Sequence, residues 1–260
     1  MAPGRRAGVI AVLSPAKTLD FSGALPPLSP TRPRFAEEAT ALAGAAAKLS
    51  APRLQALMAI SPELATLNRD RFRSFAEAPA RPALYAFAGD VYRGLDAASL
   101  DGDAVAYAQD HLRFLSGLYG LLRPLDAIRP YRLEMGTRWA PGRAKDLYGW
   151  WRDRVAAQLA DDLAAEGSGV VLNLASQEYW RVVEPHLPAG VRVVTIDFRE
   201  RRGGELRFLT AFGKRARGSA ARLMAEERIA TPEALKDHAI DGHRFDAAHS
   251  DGDRWMFVRG

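Results

Sequence analysis

Lys17, Asp90, Glu134 and Lys145 supply the residue types that move protons or hold a nucleotide. A carboxylate accepts a proton and a lysine gives one up or binds phosphate, so such a set can work as acid and base on a nucleotide or a nucleic-acid base, or hold a metal. Asp126 and Glu178, which also stand among cations, fit a second role in which carboxylates position arginines. Both roles stay open, and the reading adopted is a binder rather than an enzyme. From His111 to Gly136 the chain packs four arginines, three glycines and two prolines among apolar anchors. Within it, Gly117-Leu118-Tyr119-Gly120 matches either the turn of a helix-hairpin-helix or a plain turn between helices. In the first case glycine lets backbone amides approach a phosphate, alongside Arg113, Arg123 and Arg132.

A second cationic group, Lys214, Arg215 and Arg217 before Gly218, is expected to open a helix, where amides and side chains converge on one phosphate. Lys17 and Thr18 directly follow an apolar run, the place where α/β proteins put ligand loops. Lys17 either contacts phosphate there or pairs with Asp20 or Asp90. The glycines of a P-loop are missing, which excludes that mode of triphosphate binding. Arg199, Arg201 and Arg202 surround a turn and read as a solvated face. His111 reads as a structural hydrogen-bonder. His238, Asp241, His243, Asp246, His249, Asp251 and Asp253 are spaced too irregularly for a metal site, so neither a metal nor another cofactor is expected.

The elements that position these residues follow from pattern. Val9–Leu13, Val170–Leu174 and Val191–Phe198 are short aliphatic runs of the kind buried on both faces of a sheet. Trp255–Val258 adds a terminal strand, Leu84–Phe87 reads as a short one, and Gly203-Gly204 predicts a hairpin into Leu206–Phe212. Helices are predicted over Phe35–Leu49, after the Ser50-Ala51-Pro52 and Ser61-Pro62-Glu63 caps, over Asp103–Leu115 with Gly117 as C-cap, over Lys145–Ala165 and over Arg215–Ile229. No linker or repeat divides the chain, and strands and helices do not alternate steadily. This gives an α+β or mixed α/β fold, one domain over residues 1–260, with a mixed sheet flanked by helices.

Composition narrows the function classes. The 260 residues carry a formal net charge of +5 at pH 7, which favours an anionic partner. There is no cysteine, so thiol catalysis, disulfides and iron–sulfur clusters are excluded. The apolar run after Arg5-Arg6 is too short to span a membrane. A cytoplasmic protein with no membrane association and no obligate protein partner is expected.

Ser14-Pro15-Ala16-Lys17-Thr18-Leu19-Asp20, Gly89-Asp90-Val91-Tyr92, the stretch from His111 through Gly136, Lys145-Asp146-Leu147-Tyr148, Asn173-Leu174-Ala175-Ser176 and Lys214-Arg215-Ala216-Arg217-Gly218 resemble, in order, blocks of the peroxide-stress YaaA family. The resemblance implies a family-specific fold with a helix-hairpin-helix element and a basic cleft. It also implies binding to duplex and branched DNA and a role in limiting peroxide and iron damage. The chain departs from the family by its first six residues, Met1–Arg6, and by Ala88 where relatives often carry lysine. The site expected on these grounds is a DNA-binding cleft lined by Lys17, Thr18, Arg113, Arg123, Arg132, Lys214, Arg215 and Arg217, with the Gly117 and Gly120 backbone. The alternative is an enzyme acting on a nucleotide or base in the same cleft.

Overall fold

A computed structural model describes residues 8–260; Met1–Arg6, with the Arg5-Arg6 pair, lie outside the described residues. Strand β1 (Ile10–Leu13) is buried at all four positions, as its unbroken aliphatic run demands. After the two-residue β2 (Thr18–Leu19) come α1 (Ala36–Ala46), α2 (Ala51–Met58) and α3 (Pro62–Arg73). The Ser50 and Ser61 hydroxyls accept from the Arg53 and Leu64 amides, satisfying donors that a helix start leaves free.

Next stand β3 (Arg81–Pro82), α4 (Ala83–Ala86) and β4 (Phe87–Ala88). The strand expected over Leu84–Phe87 is therefore mostly a helical turn, held where the Ala83 and Leu84 amides donate to the Asp126 and Pro124 carbonyls. Helices α5 (Asp90–Leu95) and α6 (Gly102–His111) lead to β5 (Leu112–Ser116). The helix predicted to Leu115 stops at His111, because Leu112–Ser116 is buried at every position and pairs beside β1.

β5 turns through Gly117–Tyr119 into antiparallel β6 (Gly120–Leu122). The helix-hairpin-helix expectation is overturned here: the element is a β-hairpin, and its glycines face the interior. A Cβ on Gly117 would lie 2.2 Å from the Leu133 carbonyl oxygen, and the Trp151 indole donates to the Gly117 carbonyl at 2.9 Å. Gly120 has φ +67°, and a side chain there would press on Trp151. Neither glycine offers its backbone to a phosphate.

The remainder comprises β7 (Ala127–Ile128), α7 (Leu147–Glu166), β8 (Val170–Asn173), α8 (Gln177–Trp180), β9 (Arg192–Arg202), β10 (Glu205–Arg207), α9 (Thr210–Glu227), β11 (Arg244–Phe245) and β12 (Arg254–Arg259). α7 is two helical segments meeting at Arg152. The main sheet runs β11-β12-β9-β8-β1-β5-β6, with β10 added to β9, over one continuous buried core.

Its five central strands are all parallel. Numbered by chain order, they read 2-1-3-4-5. The chain first steps from β1 to β5 and later resumes on the other side of β1 at β8, so the direction of winding reverses between β1 and β8. In open α/β sheets the crevice beyond the C-terminal ends of the strands at such a reversal is where ligands bind.

Two further features matter below. The ladder of β8 on β9 ends at Thr195 and that of β10 begins at Glu200. On that edge β9 has no strand partner over residues 196–199, a notch of about 13 Å at 3.3 Å per residue. In addition, α5 and α9 cross in backbone contact. A Cβ on Gly218 would lie 1.7 Å from the Val91 carbonyl oxygen, and one on Gly94 2.0 Å from that of Arg215.

Candidate functional site

The crevice between β1 and β8 is closed at its floor by the loops leaving both strands. The Leu174 amide donates to the Val12 carbonyl at 2.9 Å and the Ser176 amide to the Ser14 hydroxyl at 2.8 Å. Tyr92 of α5 donates its hydroxyl to the Ser14 carbonyl at 3.0 Å. The Asn173 side chain accepts the Ala175 amide, which turns the chain into α8.

Glu134 stands at this end, between Lys17 at 3.3 Å and Arg132 at 3.0 Å. Its side chain is 12% exposed and that of Lys17 64%, so the carboxylate is held inward and the ammonium reaches out. Glu178 accepts the Gly136 amide at 3.1 Å and fixes the adjoining loop. Lys17, Glu134 and Arg132 together leave one net positive charge at the mouth of the crevice.

Beneath lie three buried phenols, Tyr92, Tyr131 and Tyr179. Tyr131 exchanges a 2.6 Å hydrogen bond with Ser116. Burial raises all three above the ordinary tyrosine range, and Tyr131 adds to the rise at Tyr92 and Tyr179. A folded-state pKa above the unfolded value near 10 makes the neutral phenol's contribution fully present below about pH 10. It is lost as pH climbs toward the folded values, by about 1.4 kcal/mol per pH unit for each group. Urea midpoints are therefore expected to drop steeply above pH 10, and less steeply in Tyr131→Phe. A midpoint that stays flat to pH 11 contradicts their burial.

The structure divides the expected cleft. Lys17, Arg132, Lys145 and Lys214 lie at the C-terminal end of the parallel strands: Lys17 follows β1, Arg132 holds Glu134 there, Lys145 precedes α7, and Lys214 is in the second turn of α9. Arg113 and Arg123 are at the opposite end, since Arg113 is the second residue of β5 and Arg123 directly follows antiparallel β6. Arg113 is 4% exposed, its Nε 2.5 Å from Asp162, which Arg34 also holds at 2.6 Å. Arg123 grips Asp126 at 3.0 Å beneath Thr31. Arg113 is an internal tie, and Arg123, with its side chain 26% exposed, is held by the buried Asp126.

Lys214, Arg215 and Arg217 do not open a helix. α9 starts at Thr210, so their amides lie past its first turn and the side chains diverge. Lys214 is exposed, Arg215 pairs with Asp241 at 3.3 Å, and Arg217 turns inward. Thr18 pairs with Ala88 in a two-strand ladder. Lys17 joins neither Asp20 nor Asp90. Asp90 pairs with Arg93 at 2.8 Å, and among the described residues no ion pair links Asp90 or Lys145 to Glu134. The four-residue acid–base set is thus represented in one place by Lys17 and Glu134.

The C-terminal histidines are dispersed. His249 pairs with Asp246, while buried His243 lies 3.0 Å from Glu200 and 3.1 Å from the Ile240 carbonyl. No group of three potential ligands is gathered among the described residues. His111 stacks on Tyr107 at 4.0 Å and hydrogen-bonds the Val9 backbone, while its Nδ1 has no hydrogen-bond partner among the described residues. No helix among the described residues is long and apolar enough to cross a membrane.

Sequence reasoning missed a second cavity of about 650 Å³ beside the notch in β9. Asn173, Gln177, Trp180, Asp197, Phe208, Arg217 and Arg254 line it. They come from five separate stretches of chain, and only the fold brings them together; the one local signal was Phe208 shortly before the cations of α9.

A family model described as peroxide stress protein YaaA matches residues 9–249. The chain is 56% identical over 251 residues to a UPF0246 protein of Rhizorhabdus wittichii, covering 96% of this chain and 99% of that one. It is 47% identical over 253 residues to a UPF0246 protein of Paracidovorax citrulli, with 95% and 97% covered. A UPF0246 protein of Alteromonas mediterranea is 45% identical over 255 residues, with 96% and 98% covered.

Proposed function

We propose that this chain, which belongs to the peroxide stress protein YaaA family, acts in peroxide stress by binding DNA along the cationic rim at the C-terminal end of its sheet. The supporting observation is the gathering of Lys17, Lys145, Lys214 and Arg215 at that end. Among the described residues no ion pair engages Lys145 or Lys214. Cations left without partners on a protein of net charge +5 attract a phosphate backbone by counterion release. Such contacts ignore base sequence and accept duplex and branched DNA alike. A protein spread over the backbone keeps iron and peroxide from the strand it covers.

The reading is tested with the triple variant Lys17→Gln, Lys214→Gln, Arg215→Gln. Titration of labelled duplex and four-way-junction DNA at several salt concentrations is expected to show weaker binding at every salt. The slope of log affinity against log salt should fall by about 0.9 for each phosphate contact removed. Unchanged affinity and slope, or a wild-type protein that ignores DNA at low salt, rejects the rim as the site.

A further inference from the structure

The cavity beside the notch in β9 has features that the cationic rim lacks. The carboxylates Glu184, Asp197 and Asp251 line it along with His249 and Asn173, and groups of three kinds are placed to meet a ligand. Arg217 projects into it from α9 with a buried Nε–H that has no hydrogen-bond partner among the described residues. Arg254, at the start of β12, lines the same space, and among the described residues neither a hydrogen bond nor an ion pair engages its side chain. Arg199 does not add to this pair of cations, because Asp197 takes its guanidinium at Nε, 2.9 Å away. The Asp197 charge acts on Arg217, but among the described residues no carboxylate forms an ion pair with Arg217 or Arg254, and each offers a fork of donors matched to phosphate oxygens.

The second kind is aromatic. Phe208 is 38% exposed, with the Arg199 and Arg217 guanidiniums 5.4 and 5.9 Å from its ring centre. Part of its ring is open to a flat partner, and Trp180 and Trp255 wall the same space. The third is amide-like. The edge of β9 over residues 196–199 lacks a ladder partner on the cavity side, and Gln177 lines the same cavity. A strand edge alternates N–H and C=O, the same alternation that the hydrogen-bonding edge of a nucleobase presents.

A bare phosphate would leave most of 650 Å³ unused, and a volume of that order suits a ligand of several rings or a ring with a sugar. We infer that this cavity is a binding site for a nucleoside monophosphate, its phosphate on Arg217 and Arg254, its base against Phe208 and the β9 edge. The source is either a free mononucleotide or the phosphorylated end of a strand. This site does not depend on the rim reading, since it uses none of Lys17, Lys214 or Arg215.

The test is calorimetric titration of the full chain with AMP, GMP, CMP and UMP, and with adenosine, inorganic phosphate and a 5′-phosphorylated single-stranded pentanucleotide as comparisons. At least one mononucleotide is expected to bind once per chain and ten-fold or more tighter than either adenosine or phosphate. Arg217→Gln and, separately, the surface change Phe208→Ala should each weaken it at least ten-fold. The triple rim variant should leave it intact. Circular dichroism melts show whether Arg217→Gln is folded, and Phe208→Ala keeps the test decisive if it is not. A pentanucleotide that binds more tightly than any mononucleotide, and loses that affinity in Phe208→Ala, supports the site and assigns it to strand ends. Absence of saturable mononucleotide and pentanucleotide binding, or affinity untouched by Phe208→Ala, overturns the proposal.

Discussion

Asp162→Asn is expected to lower the stability of the folded protein by about 3 to 5 kcal/mol, the range for removing one partner from a buried ion pair. Asp162 sits on α7 with its side chain 6% exposed, and one of its oxygens receives both the Arg34 and the Arg113 guanidinium. Asparagine keeps the shape and an acceptor but removes the charge. Two cations then face each other in a place with little water, and desolvation adds to the repulsion. Burial already lowers the Arg113 pKa, with the Asp162 charge working against that fall. Urea denaturation followed by tryptophan fluorescence measures the loss. A cost under about 1 kcal/mol, the level of a surface pair, would mean that water reaches the site. If the proposed rim binds DNA, the folded fraction of the variant should match its parent in DNA titrations, because the Arg113 end of the sheet is remote from the rim.

Gly218→Val is expected to leave no folded protein, and Gly218→Ala to cost about 3 kcal/mol or more, the upper end of overpacking penalties. The added methyl would meet the Val91 carbonyl oxygen at 1.7 Å and the Leu95 amide nitrogen at 2.8 Å. Both are backbone atoms, so no rotamer change relieves the contact, and α5 must separate from α9. That separation would displace Tyr92 from the floor of the β1–β8 crevice. Gly44→Ala in α1 is the control. Nothing lies within 4 Å of that position, and alanine there should stabilise by up to about 1 kcal/mol. Thermal melts of the variants separate the two cases; a Gly218→Ala protein as stable as its parent would show that the helices are not in backbone contact.

Much of the scaffold was legible in the sequence because its signals are local. β1, β8 and β9 announced themselves as aliphatic runs, and Ser50 and Ser61 marked helix starts by hydroxyls placed three residues before the amides they receive. The passage from α6 into β5 was hidden, because Val105, Ala108, Leu112 and Leu115 also keep a helical spacing. Only the docking of Leu112 against Ala11 of β1 decides between the two. The parallel order was hidden as well, since the crossover from β1 to β5 carries six helices in place of one.

The site was half legible for a similar reason. Residue type identifies an arginine as a cation but says nothing of the carboxylate it will meet, and for Arg113 that partner is 49 residues away. Lys17 and Glu134 were both singled out, yet their pairing needed the loop after β1 to fold over the segment after β6. The glycines of the Gly117–Gly120 turn carried a real constraint, and it came from Leu133 and Trp151 on the inside.

The break between β8 and β10 also bears on how this protein avoids sticking to itself. An unpaired strand edge is a template for a strand from another molecule, which is how sheets grow into aggregates. Here the unpaired stretch of β9 is closed at one end by β8 and at the other by β10, so an invading strand has only four residues to pair with. Asp197 and Arg199, already joined to each other on that stretch, place charges where an intruder would need apolar side chains. The same stretch is long enough for a small flat molecule and too short for a polypeptide.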